Sequence, residues 1–330
     1  MTQVAQPLLD VRNLSVSFGN PDAGTVTAVD DVSFTVTAGR TLGIVGESGS
    51  GKSVTSLAIM RLLQKGAAKV SGTVTLEGRD LLAASDAEMR DLRGNTLAMI
   101  FQEPMTSLNP AYRIGDQIAE ALIRHQGLNK EAARNRAIDL LRLVRMPSPE
   151  RRSRDFPHKL SGGQRQRVMI AMALACGPKV LIADEPTTAL DVTIQAQILY
   201  LMRQLKEETG AAIILITHDL GVVAEVCDDV AVMYAGQVVE RAPVAELFAF
   251  PQHPYTIGLL GSLPKFDQKT ERLPVIAGAV PDPRNLPSGC RFRARCPFAI
   301  EKCSEAPPLA DLSPTRASRC WRAPLEEMVA

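Results

Sequence analysis

The sequence predicts an α/β fold in which helices flank a parallel sheet, with a proline-rich, cysteine-bearing module following it. Three observations carry that prediction. Continuous apolar runs at Thr41–Val45, Val180–Ala183 and Ala212–Ile216 suit strands buried on both faces. Stretches of helical period lie between them, and strand–helix–strand alternation implies a parallel sheet. Beyond about residue 250, proline recurs at 251, 254, 264, 274, 281, 283, 287, 297, 307, 308, 314 and 324, so long helices are not expected there.

Taken in chain order, Leu8–Phe18 and Val29–Val36 are rich in Val, Thr, Phe and Leu and read as strands. Gly19-Asn20-Pro21-Asp22 and Gly39-Arg40 punctuate them. Thr41–Val45 then runs directly into glycines. From Lys52 to Leu63 the period becomes helical, with Leu57, Met60 and Leu63 in the stretch. Residues 105–176 carry mostly helical patterns. Within them Ala133, Ala137, Leu140, Leu141 and Val144 form one apolar face behind an expected Asn129 cap. Thr193–Glu208 is the helix expected between the last two buried strands. The tail reads as an appended, loop-rich module.

Composition narrows the classes. At roughly 150 residues per domain, 330 residues suggest two domains. The chain is 45% hydrophobic, which supplies a sizeable core and excludes intrinsic disorder. With 37 Lys+Arg against 36 Asp+Glu there is no basic excess, so nucleic acid is not an expected partner. The best apolar run, Val168–Cys176, has nine residues, whereas a membrane span needs about 20. Met1–Asp10 has no basic n-region or apolar h-region, so the expected address is cytosolic, where thiols stay reduced.

Three motifs carry chemistry. Gly46-Glu47-Ser48-Gly49-Ser50-Gly51-Lys52-Ser53 lies between a predicted strand and a predicted helix and matches the phosphate-loop pattern. Its glycines let backbone N–H groups wrap an anion at a helix N-terminus. Lys52 would reach the β/γ-phosphates and the Ser53 hydroxyl would ligate Mg²⁺. Asp184 and Glu185 end an apolar strand, where ligands bind in open α/β sheets. Asp184 would hold Mg²⁺, and Glu185 would orient or deprotonate an attacking water. Finally, Ser161, Gly162, Gly163 and Gln164 open a helical run and make another anion site.

The run Leu160-Ser161-Gly162-Gly163-Gln164 is the signature loop of ABC-type ATPases, and the sequence resembles that family over about residues 8–245. The resemblance implies a P-loop NTPase fold of ABC type: a RecA-like parallel sheet core, an antiparallel β subdomain and a helical subdomain at about 104–176. It also implies that Phe18 stacks on adenine, that Gln102 contacts Mg²⁺ and the attacking water, that Asp191 belongs to the D-loop, and that His218 contacts the γ-phosphate. Since the family's signature loop completes the ATP site of the opposite subunit, the resemblance further implies a dimer of cassettes.

A fused membrane span is excluded by hydropathy, a coiled-coil insertion by the absence of heptads, and a tandem cassette by the single phosphate loop. Met105-Thr106-Ser107-Leu108-Asn109-Pro110 and His253-Pro254-Tyr255-Thr256 resemble the dipeptide/oligopeptide importer ATPases, to which nickel importers are close relatives. That likeness implies a second ATPase subunit, commonly a paralogue, and two transmembrane permeases. It also implies an extracytoplasmic peptide-binding protein and a peripheral place on the cytoplasmic face of the cell membrane. Residues 103–120 are the expected permease-facing surface. A soluble ABC ATPase of iron–sulfur assembly is the alternative from another class. The implied division is 1–250 for the nucleotide-binding domain and 251–330 for the extension.

Four of the six cysteines fall in the last 41 residues, with five, six and sixteen residues between Cys290, Cys296, Cys303 and Cys320. Four thiolates suit zinc or an iron–sulfur centre. The spacing lacks the close pairs usual for zinc, and the expected cofactor is a [4Fe–4S] cluster. Arg291, Arg293, Arg295, Arg319 and Arg322 crowd these cysteines and would offset its charge.

Overall fold

The computed structural model describes residues 6–20, 24–103, 107–187, 192–263 and 275–325. Strands are numbered in chain order: β1 (Leu9–Asn20), β2 (Gly24–Val36), β3 (Thr41–Val45), β4 (Ala68–Leu76), β5 (Arg79–Asp80), β6 (Leu97–Ile100), β7 (Val180–Asp184), β8 (Ala212–Ile216), β9 (Asp229–Tyr234), β10 (Gln237–Pro243), β11 (Ala310–Ser313) and β12 (Arg316–Ser318). The chain divides into two compact units. One comprises residues 1–8, 36–40 and 83–216, and the other 9–35, 41–82 and 217–330.

In the first unit β6, β7 and β8 pair in parallel, with Leu97 opposite Val180 and Val180 opposite Ala212. Each is buried along its whole length, as continuous apolar runs require. The helices Ile114–Gln126, Lys130–Leu143 and Gly162–Leu174 pack on one another. Asn129 caps the second of them, its side chain accepting from Ala132 N–H at 2.9 Å, and Ala133, Ala137, Leu140 and Leu141 are buried on its face. Arg167 joins the third helix to its surroundings. Its guanidinium is buried and donates to the carbonyls of Val144 at 2.6 Å and Arg145 at 3.2 Å and to Gln197 at 2.5 Å.

In the second unit β2-β1-β4-β5 form an antiparallel sheet, and β3, β9, β10, β12 and β11 follow one another in a second sheet. β3 pairs with β9 in parallel, while β9, β10, β12 and β11 pair antiparallel. The two tail strands thus extend the sheet that contains β3. The tail also holds the helix Pro254–Gly261, with Pro254 in its first turn and the His253 side chain accepting from Tyr255 N–H at 3.1 Å. The tail is loop-rich and lacks long helices among the described residues, but it also carries these short elements, which the sequence reading did not name. β11 and β12 are short; β12 gains its hydrogen bonds from β10, far away in sequence, and β11 pairs with β12.

The helix expected over Lys52–Leu63 ends at Ile59. Arg61 takes a left-handed conformation (φ 50°), Arg61 N–H donates to Ala58 at 3.0 Å and Leu62 N–H to Leu57 at 2.8 Å. This is a Schellman closure, which satisfies the last carbonyls and stops the helix although apolar residues continue.

The seam between β10 and the tail buries two titratable groups. Glu240 accepts from Gln252 N–H at 2.6 Å, and burial pushes its carboxyl up to about 7. Burial lowers the neighbouring His253 to about 3. Folded Glu240 retains a proton between about 4.5 and 7 that the unfolded chain has lost, so its contribution to stability declines as pH rises through that window. Folded His253 stays neutral where the unfolded chain protonates, so stability declines as pH falls from about 6.5 toward 3. The slopes oppose each other in the overlap. Glu240→Gln is expected to raise stability at pH 8 by up to about 3 kcal/mol and to leave only the acid-side slope. Denaturation at pH 8 and pH 5.5 checks this. An unchanged pH profile would remove Glu240 as its source.

Candidate functional site

The phosphate-loop residues belong to the second unit. Here β3 delivers the chain to Gly46, and Lys52 begins the helix, with Gly51 left-handed before it. The two glycines are required by close approach. A Cβ at Gly46 would lie 2.1 Å from Met233 O, and one at Gly51 2.6 Å from Ala28 O. Lys52 is buried and folds over the loop, its Nζ donating to Gly46 O at 2.8 Å, Glu47 O at 3.0 Å and Ser50 Oγ at 3.4 Å. Gly236 N–H donates to Ser50 O at 3.0 Å, so the β9–β10 turn supports the loop from outside. Ser48 and Gly49 are exposed at its tip, and Ser53 stands half-buried in the first helical turn.

Phe18 is half-buried on β1, opposite Ala68 of β4. His218 is exposed, in a segment fixed on either side. Thr217 Oγ1 accepts from Asp219 N–H at 3.0 Å, and Asp219 caps the helix Leu220–Val226 by accepting from Gly221 N–H at 2.8 Å and Val222 N–H at 3.2 Å.

The other predicted residues belong to the first unit. Asp184 is buried at the end of β7, and Glu185 follows it with φ 46°. A left-handed backbone at a non-glycine residue is strained, and strain of this kind is held only where the surroundings fix it. Glu185 N–H is fixed by donating to Ile216 O at 2.9 Å. Gln102 Nε2 donates to Glu185 Oε2 at 3.2 Å, so the structure brings together two residues 83 positions apart. Ser161 and Gln164 form a capping box. Ser161 Oγ accepts from Gln164 N–H at 3.4 Å and Gln164 Oε1 from Ser161 N–H at 3.2 Å. Gly162 and Gly163 open the helix beneath it. Asp191, with Pro104, Met105 and Thr106, lies outside the described residues.

The donors expected for Mg²⁺ are hard oxygens from Ser53, Gln102 and Asp184. Mg²⁺ takes few protein ligands and completes its octahedron with waters and phosphates, so a donor set with one carboxylate suits it. The tail cysteines present a different chemistry. All six cysteines are free, and Cys303 is buried. Burial first, and then the charges of Cys303, Cys320 and Cys296, push the Cys290 thiol up to about 11. Cys296 and Cys320 are raised in the same way, by burial and by neighbouring cysteines. The four sulfurs therefore share one neighbourhood. Among the described residues, however, no group of three or more His, Cys, Asp or Glu is arranged to hold a metal ion.

The surrounding arginines are mostly engaged elsewhere. Arg291 pairs with Asp30, Arg295 with Glu47 and Arg319 with Asp31, while the charge of Arg322 offsets a small part of the upward shift of the Cys296 and Cys320 thiols. Arg291, Arg295 and Arg319 are thus turned to carboxylates and not to the cysteines, which corrects the expected charge compensation for these three.

Residues 29–188 match the family described as ABC transporter, and residues 239–303 match the oligopeptide/dipeptide transporter C-terminal region. The oligopeptide transport ATP-binding protein OppD of Salmonella typhimurium is 51% identical, covering 99% of this chain and 98% of that protein. The chain belongs to the ABC transporter family. A probable peptide ABC transporter ATP-binding protein of Sinorhizobium fredii is 55% identical to this ABC chain over 96% of each. A solved structure, the ATP-binding cassette MJ0796 as a dimer in a post-hydrolysis state with ADP and Pi, aligns with TM-score 0.65 at 28% identity. It covers 72% of this chain and 98% of that one, and confirms the ABC-type P-loop fold. Among the described residues of the cassette, no helix is long and apolar enough to cross a membrane.

Sequence reasoning left three residues of this region without a role at the loop: Glu47, Tyr255 and Arg295. Glu47 N–H donates to Tyr255 Oη at 2.9 Å, and Arg295 reaches the Glu47 carboxylate. No local pattern signals contacts across more than 200 positions.

Proposed function

We propose that this ABC chain hydrolyses ATP to drive import of di- or oligopeptides, as one cassette of a dimer docked on two transmembrane permeases. The observation that carries the reading is full-length identity above 50% to an oligopeptide transport ATP-binding protein, joined to a match of the tail with the oligopeptide/dipeptide transporter C-terminal region. It favours peptide over nickel and over iron–sulfur assembly. The division into a nucleotide-binding domain at 1–250 and an extension at 251–330 belongs to the same proposal, as do peripheral attachment to the membrane and residues 103–120 as the permease-facing surface.

The residue roles follow from position and chemistry. Lys52 and the N–H groups of Gly46–Ser53 bind the β- and γ-phosphates, and Phe18 stacks on adenine. Ser53, Gln102 and Asp184 hold Mg²⁺, which neutralises charge on the phosphates when bound. Glu185 orients or deprotonates water, with Gln102 fixing its carboxylate through the 3.2 Å hydrogen bond. His218 contacts the γ-phosphate. Ser161–Gln164 and Asp191 serve the opposing cassette's nucleotide. Co-purification with integral membrane proteins from detergent extract tests the docking, and recovery of the chain alone would count against it.

Cys290, Cys296, Cys303 and Cys320 are proposed to ligate a [4Fe–4S] cluster of structural role. Four soft sulfur donors in the last 41 residues, without the close pairs usual for zinc, support this reading. Protein purified without oxygen is expected to be brown, to absorb near ~400 nm and to contain about four irons per chain. Colourless protein with one tightly held zinc would contradict it. Cys303→Ser should loosen residues 285–325 to proteolysis with nucleotide binding largely kept.

A further inference from the structure

The extension reaches into the phosphate loop, and it does so through one residue. Glu47 N–H donates to the hydroxyl of Tyr255 at 2.9 Å. The Glu47 carboxylate receives Arg295 in a two-pronged pair, Nη1 to Oε2 at 2.6 Å and Nη2 to Oε1 at 3.0 Å. The Glu47 carbonyl receives Lys52 Nζ at 3.0 Å. Three groups of one loop residue are therefore held, two by the extension and the third by the phosphate-binding lysine.

Both extension residues are themselves fixed. Arg295 is 5% exposed in its side chain. Its guanidinium also donates to Ala277 O at 2.9 Å and Ile276 O at 3.2 Å and lies over the rings of Tyr234 and Phe292. Tyr255 is fully buried against the same rings, at centroid distances of 4.6 and 5.5 Å. A bidentate guanidinium–carboxylate pair shielded in this way has directional strength that exposed pairs lack. A second arm runs in parallel. Arg291 donates to Ala235 O in the β9–β10 turn, and the next residue, Gly236, donates to Ser50 O at 3.0 Å.

We propose that the extension pre-shapes the phosphate loop, with Arg295 and Tyr255 as positioning residues for nucleotide binding. The inference rests on reading Gly46–Ser53 as the nucleotide loop. A loop whose Glu47 is already held at its N–H, carboxylate and carbonyl loses less freedom when the phosphates arrive, and this favours binding without touching the reacting atoms. It also explains why a tail without catalytic groups is woven into the sheet that carries the loop.

The test uses the full chain, Mg²⁺ and a fluorescent ATP analogue, with steady-state hydrolysis beside it. Arg295→Gln and Tyr255→Phe are each expected to weaken nucleotide binding about 5- to 30-fold. KM for ATP should rise accordingly, with kcat changed less than about twofold. Glu47→Gln combined with Arg295→Gln should lose no more than the worse single variant, since both remove the same pair. Arg284→Gln, which breaks an exposed pair with Asp282, should bind like the parent. Tyr255→Phe removes one hydroxyl and keeps the ring packing, so it reads out even where an Arg295 variant fails to fold. Parent-like affinity in both variants, or additive losses in the double variant, would overturn the proposal. Failure of the parent chain to bind the analogue would instead overturn the assignment of the loop.

Discussion

Glu185→Gln is expected to lower ATP hydrolysis about 10²–10⁴-fold while nucleotide still binds. The substitution keeps shape and length but removes the negative charge that activates water. The structure makes the expectation specific. The Glu185 backbone is anchored to Ile216 in a left-handed conformation, and its carboxylate accepts from Gln102. An amide at position 185 keeps a hydrogen-bonding partner for Gln102, so the fold should be unaffected and the loss should fall on the chemical step. ATP-bound cassette dimers should accumulate, visible as a shift in size-exclusion elution. Near-parental turnover in an assembled complex would move the base elsewhere.

Lys52→Ala is expected to weaken ATP binding by about 10- to 100-fold and to reduce turnover with it, because a charged hydrogen-bond donor to the phosphates is lost. Lys52 also ties Gly46, Glu47 and Ser50 together, so the loop itself should loosen. His218→Ala should behave differently. The histidine is exposed at the end of the segment that follows β8 and is assigned to the γ-phosphate, so binding should survive and hydrolysis should fall. Measuring Kd and turnover for both variants separates the roles. Loss of binding in the His218 variant would place it at the nucleotide's ground state rather than at the γ-phosphate in reaction.

What the sequence showed was whatever has a short period or a local pattern. β3 and β8 match their apolar runs residue for residue, and β7 gains only Asp184, because burial on both faces leaves an unbroken signal. The Asn129 cap was legible for the same reason, since donor and acceptor lie three residues apart. The end of the helix at Ile59 was not. It depends on Arg61 adopting a conformation usually reserved for glycine, beside apolar residues that suggest continuation. β11 and β12 were missed because four- and three-residue strands have too few positions for alternation to register, and β10, which holds β12, is some 70 residues away.

At the site, the loop and the Asp184-Glu185 step were readable from residue type and flanking pattern. The Gln102–Glu185 hydrogen bond was not read from the sequence, because no spacing rule joins residues 83 apart; family resemblance gave only a role for each residue. The role of Arg295 changed altogether. Its nearness in sequence to Cys296 suggested charge compensation for a cluster, whereas its guanidinium is turned to Glu47 of the phosphate loop. Sequence neighbours share a backbone, not a direction.

Coupling of ATP hydrolysis to peptide entry by this cassette is measurable in proteoliposomes. The chain would be reconstituted with the membrane proteins that co-purify with it, with MgATP on the cassette side and a labelled oligopeptide with its binding protein on the other. Peptide is expected to accumulate only with ATP present and not at all in the Glu185→Gln variant. Steady ATP hydrolysis by the reconstituted complex with no accumulation of any di- or oligopeptide offered would contradict it.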